Sequence, residues 1–180
     1  NWKMYGNLRS LNTLKKVINF SKLKLSRKVK IVYCPPYTLI EQFIKKTNNS
    51  KIQIGAQDCH FINNHVAFTG RISANQLKML GTKYIILGHS EKRLDGDTNH
   101  IINKKIIVAT KEKLKVILCV GETLKDKRDR SVTRVIKKQL NSCLKKIKKL
   151  DNIIIAYEPV WSIGTGHVPT NLEIYKNVNF

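Results

Sequence analysis

Acidic residues are scarce in this chain: 12 Asp and Glu stand against 34 Lys and Arg, a formal net charge of +22 over 180 residues. Long apolar runs are missing as well. No stretch approaches the roughly 20 residues that a helix needs to cross a bilayer, so no membrane association is expected. Four cysteines are present, Cys34, Cys59, Cys119 and Cys143, without a Cys-x-x-Cys pair or a regular interval. A disulfide framework or a structural zinc site normally shows one, so reduced thiols in a cytoplasmic protein are the expectation. The single Cys/His neighbour pair, Cys59-His60, signals no metal site by itself. Nine Gly and four Pro form no linker and no low-complexity segment.

What is abundant is lysine. Such an excess suits nucleic acid or anionic surfaces. However, the lysines interleave with apolar residues, as in Lys145-Lys146-Ile147-Lys148-Lys149. That pattern fits the solvated faces of amphipathic helices, and no nucleic-acid-binding module accompanies it, so no nucleic-acid partner is expected.

Short β-branched runs alternate with longer amphipathic stretches. Strands are expected at Val29–Cys34, Ile52–Gln57, Tyr84–His89, Val116–Val120 and Ile153–Glu158, with a stub around Trp2. Helices are expected at Leu8–Phe20, Pro36–Lys46, Ser73–Leu80, Asn99–Glu112, Ser131–Lys149 and Asn171–Val178. This spacing is that of βαβ units building a parallel sheet, and the continuous Ile/Val runs suit strands covered on both faces. Two architectures fit: a barrel, or a doubly wound open sheet.

One stretch carries the chemistry. The apolar run Ile153-Ile154-Ile155 leads through Ala156-Tyr157 to a lone carboxylate, Glu158, then to Pro159-Val160-Trp161-Ser162-Ile163-Gly164-Thr165-Gly166. A strand that delivers one acid to its C-terminal end, followed by a loop with two glycines, fits a catalytic base beneath a movable lid. This string closely resembles the Tyr-Glu-Pro-Val-Trp-Ala-Ile-Gly-Thr-Gly signature of the triosephosphate isomerase family, with Ser162 where Ala is usual. Asn1-Trp2-Lys3-Met4-Tyr5-Gly6 resembles that family's opening Asn-Trp-Lys-Met-Asn-Gly. Gly88-His89-Ser90-Glu91-Lys92-Arg93 resembles its Gly-His-Ser-Glu-Arg-Arg. Weaker echoes lie at Gly55-Ala56-Gln57-Asp58, Ala67-Phe68-Thr69-Gly70 and Cys119-Val120-Gly121-Glu122, in the family's order.

The resemblance implies an α/β fold of the (β/α)8-barrel type. About six βα units are expected in one partial domain, 1–180, because a complete barrel takes roughly 250 residues. It implies a cofactor-free, metal-free isomerase acting on triose phosphates in glycolysis and gluconeogenesis. Glu158 is the implied base, His89 the electrophile, and Lys3 the fixed cation. Asn1 and the Gly164 N–H are implied substrate contacts, and Glu91 is a supporting carboxylate. The family's remaining phosphate donors, a Ser and a Gly pair in later loops, have no counterpart within these 180 residues. Gln57, Asp58 and Glu122 also fall at strand ends, but capping of the next helix or turn is the reading adopted for them. His60, His65, His100 and His167 are read as surface residues.

The segment 58–73 resembles the long loop that the family inserts into a partner subunit, placing Thr69 at the neighbour's site, so a homodimer is implied. Arg71 and Lys92 stand where the family pairs a Glu with an Arg, and two cations there repel unless another acid intervenes. Two further readings remain: a truncated, inactive remnant of such an isomerase, and a basic nucleic-acid binder built on one.

Overall fold

In the computed structural model, residues 1–23, 28–63 and 66–179 are described. His65 therefore lies outside the described residues. Five strands are present among the described residues: β1 (Val32–Tyr33), β2 (Gln53–Ala56), β3 (Tyr84–Leu87), β4 (Lys115–Val120) and β5 (Ile153–Tyr157). All neighbours pair in parallel, in the order β1-β2-β3-β4-β5. A doubly wound sheet would break this sequence at a switch point. Unbroken sequential order instead belongs to a barrel wall.

The helices are α1 (Leu14–Ser21), α2 (Ile40–Thr47), α3 (Ala74–Leu80), α4 (Ser90–Leu94), α5 (Asn99–Lys111), α6 (Leu124–Arg128), α7 (Val132–Cys143) and α8 (Asn171–Val178). The main core lies between sheet and helices. There Leu14, Phe43, Leu77, Ile102, Ile106 and Ile136 from the helices meet Ile54, Ile85, Leu87, Val116 and Leu118 from the strands. Each fully buried aliphatic or aromatic side chain here contributes on the order of 2 kcal/mol. A smaller cluster, Cys34, Ile86 and Cys119, packs with Val32, Ile117 and Ala156 and contains no helical residue. Helices thus cover one face of the sheet while side chains of the strands and of Cys34 fill the other, the arrangement of a barrel interior.

The expected stub around Trp2 is not a strand. A single backbone hydrogen bond, from the Trp2 N–H to the Cys34 carbonyl at 3.0 Å, ties it to the sheet. Its ring packs instead against Tyr33 and Phe43. Strand β1 is shorter than expected: residues 29–31 drop out at its start, and at its end only Cys34 is lost, next to Pro35-Pro36, which donate no ladder bonds. Helix α7 stops at Cys143 instead of Lys149. There Asn103 Nδ2 donates to the Cys143 and Lys145 carbonyls, and Lys146 turns to φ 64°. Clustered lysines gain nothing from a helix in which they would face one another.

Burial falls towards the end of the described sheet. Strand β3 is buried throughout, whereas Ile154 and Ile155 of β5 remain 47% and 45% exposed.

Candidate active site

All strands run in the same direction, so their C-terminal ends converge on one face, where barrels of this type carry their sites. The sequence places polar groups there. Gly88 follows β3 with φ 73°, and an added Cβ would lie 3.0 Å from the Cys119 carbonyl oxygen. Only glycine allows the chain to bend so close to β4, and this bend aims His89 across the face. His89 is buried, with 8% exposure, and sits immediately before α4.

The His89 Nδ1 accepts the Glu91 backbone N–H at 3.2 Å. Its Nε2 lies 3.0 Å from Oε1 of Glu158. A nitrogen that accepts an N–H carries no proton, and one that meets a carboxylate carries one. This pattern is that of the neutral imidazole protonated at Nε2. The other carboxylate oxygen of Glu158 accepts the Ser90 N–H at 3.2 Å. Burial pushes the Glu158 pKa up, but the hydrogen bond from His89, the Ser90 N–H and the Lys3 ammonium outweigh it. The net pKa lies below the ordinary carboxylate value.

Lys3 sits beside this pair. It has φ 52°, a left-handed conformation rare outside glycine. Its own N–H donates to Asn1 Oδ1 at 2.9 Å, and its carbonyl accepts from Gln57 Nε2 at 2.9 Å. Gln57 Nε2 also donates to the Cys34 carbonyl. The Lys3 ammonium contacts Glu91 Oε1 at 2.7 Å, a contact that holds its pKa above the ordinary lysine value despite partial desolvation. Asn1, Lys3, His89 and Glu91 border an open cavity of about 430 Å³ that extends to Arg71 and Lys105.

The structure brings Lys3, Asn1, His89, Glu91 and Glu158 to one face. Gly164 does not line the cavity, and Thr69, expected at a partner's site, lies next to Gly70, which does. Gly164 is exposed, and an added Cβ would meet no atom within 4 Å. Thr69 is exposed in the turn of segment 58–73.

The three strand-end residues read as caps do other work. Gln57 holds the Lys3 backbone, as described. Asp58 meets the buried Lys105 ammonium at 2.8 Å, and Asp97 meets the same ammonium at 2.6 Å. Burial outweighs that cation and raises the Asp58 pKa. Glu122 is 1% exposed and its Oε1 accepts from the Trp161 Nε1 at 2.7 Å and the Tyr157 hydroxyl at 3.1 Å. Lys127 Nζ lies 3.5 Å above the same Trp161 ring and 2.8 Å from Glu173, so the base of the 159–170 loop is gripped from two sides. Burial was the missing signal: a sequence shows an acid at a strand end but not what closes over it.

Lys92 pairs with Asp95 at 2.9 Å, so an acid within the chain already compensates one of the two cations expected to repel. The four cysteines are free and buried, and desolvation raises the thiol pKa of Cys34 to about 11 and of Cys119 to about 12. Among the described residues no three His, Cys, Asp or Glu side chains are arranged to hold a metal ion, and no helix is long and apolar enough to cross a membrane.

A helix-wrapped parallel sheet of barrel type, with a carboxylate and an imidazole in contact at its strand ends, defines a (β/α)-barrel enzyme suited to moving protons. The family model of triosephosphate isomerase matches residues 1–180. Triosephosphate isomerases from Alkaliphilus metalliredigens and Alkaliphilus oremlandii are 43% and 39% identical, each match covering 96% of this chain and 70% of the relative. A cytosolic triosephosphate isomerase from rice is 38% identical over 94% of this chain and 67% of its own length. The crystal structure of triosephosphate isomerase from Bartonella henselae superposes with a TM-score of 0.85 at 33% identity, covering 98% of this chain and 69% of that one. The chain belongs to the triosephosphate isomerase family, and it spans about 70% of the length of the curated relatives it matches.

Proposed function

We propose that this chain interconverts glyceraldehyde 3-phosphate and dihydroxyacetone phosphate through an enediolate, with Glu158 as the base, His89 as the electrophile and Lys3 as the fixed cation. The observation that carries the reading is the 3.0 Å contact between His89 Nε2 and Glu158 Oε1, two groups delivered by different strands.

On substrate entry, the Nε2–H turns from the carboxylate to the substrate's carbonyl oxygen, and the freed carboxylate removes a proton from the adjacent carbon. The imidazole then passes a proton between the two enediolate oxygens, and protonated Glu158 returns its proton to the neighbouring carbon. Acid and imidazole end as they began, so no oxidant or reductant is consumed. Closure of the 159–170 loop over the cavity would expel water and raise the basicity of Glu158, because desolvation disfavours its charged form. Asn1 orients Lys3 for the anionic substrate, the Gly164 N–H meets the phosphate on closure, and Glu91 supports Lys3.

A homodimer formed through segment 58–73, with Thr69 at the partner's site, is part of the proposal, as is a cytoplasmic location. The first rests on the family's long loop and on the open cavity beside it. The second is supported by the buried free thiols and by the cytosolic rice relative.

The test is Glu158→Asp. General-base catalysis is worth about 10²–10⁴-fold; withdrawing the carboxylate by one methylene should remove a large part of this from kcat and leave triose-phosphate binding intact. Near-normal turnover would end the assignment. A coupled isomerase assay reads the loss.

A further inference from the structure

We infer that Ser162 is a positioning residue that staples the two ends of the lid together, so that segment 159–170 moves as one piece. The inference rests on the reading of this segment as a lid. Ser162 Oγ donates to the His167 carbonyl at 2.6 Å. The bond runs from the 3-10 turn Val160–Ser162, which opens the lid, to the residue beyond Gly166, where the chain turns towards α8. The tip between these ends is tied by local bonds. Thr165 Oγ1 donates to the Trp161 carbonyl at 3.0 Å, and the His167 N–H donates to Thr165 Oγ1 at 3.2 Å. Gly164 and Gly166, with φ of 69° and 75°, supply the bends.

Nothing packs beside the two glycines: an added Cβ at Gly164 or Gly166 would meet no atom within 4 Å. A loop so poorly packed is held in shape by its own hydrogen bonds, and each frozen residue is a residue whose entropy need not be lost on closure. The hydroxyl at position 162 is well placed for this, since its bond closes a ring around both glycines. An alanine at position 162 could form no such bond, and the family signature carries one there. In this chain the staple offsets the slackness of two glycines within three residues.

The consequence is a lid whose closing cost is partly met before substrate arrives. The experiment is hydrogen exchange of the 163–168 amides in the whole protein, without ligand, in the wild type, Ser162→Ala and Ser162→Thr. Loss of a bond of this kind corresponds to roughly a two- to ten-fold change. Exchange should accelerate by that factor in the Ala variant and stay near wild type in the Thr variant, whose hydroxyl can remake the bond. Binding of glycerol 3-phosphate, an unreactive anionic probe, should weaken in parallel and be restored by Thr. Equal exchange in all three proteins, or a Thr variant as loose as Ala, overturns the staple. Wild-type lid amides that gain no protection from glycerol 3-phosphate would count against the proposed function instead, leaving the exchange comparison to judge Ser162.

Discussion

At the scale of single residues, the site is a set of groups each held by a neighbour. His89 is fixed at both nitrogens, Glu158 at both oxygens, and Lys3 at its N–H, its carbonyl and its ammonium. The Glu158 contacts favour the charged carboxylate. Its folded pKa therefore lies below 4.5, and its contribution to stability is present above that value and lost as pH falls through the depressed one. Glu158→Gln should cost on the order of 1 kcal/mol at pH 7, modest because the side chain is partly exposed. That difference should shrink as pH falls below 4.5. Denaturant titrations of both proteins at pH 7 and pH 3 measure it, and a gap that widens in acid would contradict the bonding described here.

At the scale of elements, the position of Glu158 depends on the end of β4. Gly121 presses so closely on β5 that an added Cβ would lie 1.8 Å from the Glu158 carbonyl oxygen. Its N–H and carbonyl are both clasped by the Gln139 side chain of α7, at 2.9 Å each, so Gly121 cannot retreat. Gly121→Ala must then displace the β5 end and carry the Glu158 carboxylate with it. An ångström of misplacement at a reacting group is worth about 10²-fold in rate. We expect a loss of that order in kcat, with a fold still visible by circular dichroism. A fully active variant would show that β5 can slide freely past β4.

These elements were partly legible from pattern alone. Strands β2 to β5 fall within a residue or two of their expected ends, because buried parallel strands read as continuous apolar runs. Helices α3, α5 and α8 also match closely, and α3 and α8 are bounded by capping boxes at Ser73 and Thr170 that can be read directly from spacing. The short α4 and α6 were not expected as separate helices. Five residues carry too little periodicity to declare a helix, and each forms because a strand end and an N-cap leave the chain no other path.

At the scale of the whole molecule, the charge acts at long range. A net charge of +22 drives copies apart. The same excess attracts an anionic substrate, and that attraction is screened beyond about 10 Å at 0.1 M salt. Capture of the triose phosphate, read as kcat/KM, should therefore fall as salt rises while kcat changes little. Steady-state kinetics across a salt series measure both. A kcat/KM that holds constant with salt would show that the net charge does not steer the substrate.

The amino-acid sequence by itself determined the family and the parallel βα alternation, and it pointed to Lys3, His89 and Glu158 as the site to propose, because those depend on residue order and on strings too long to recur by chance. It could not decide what Gln57, Asp58 and Glu122 do, where α7 ends, or that Ser162 reaches His167. Those depend on which distant groups folding brings together and which it removes from water. A carboxylate at a strand end is the same letter whether it caps a turn or grips a buried indole; only the closed packing around Glu122 and Trp161 selects between them.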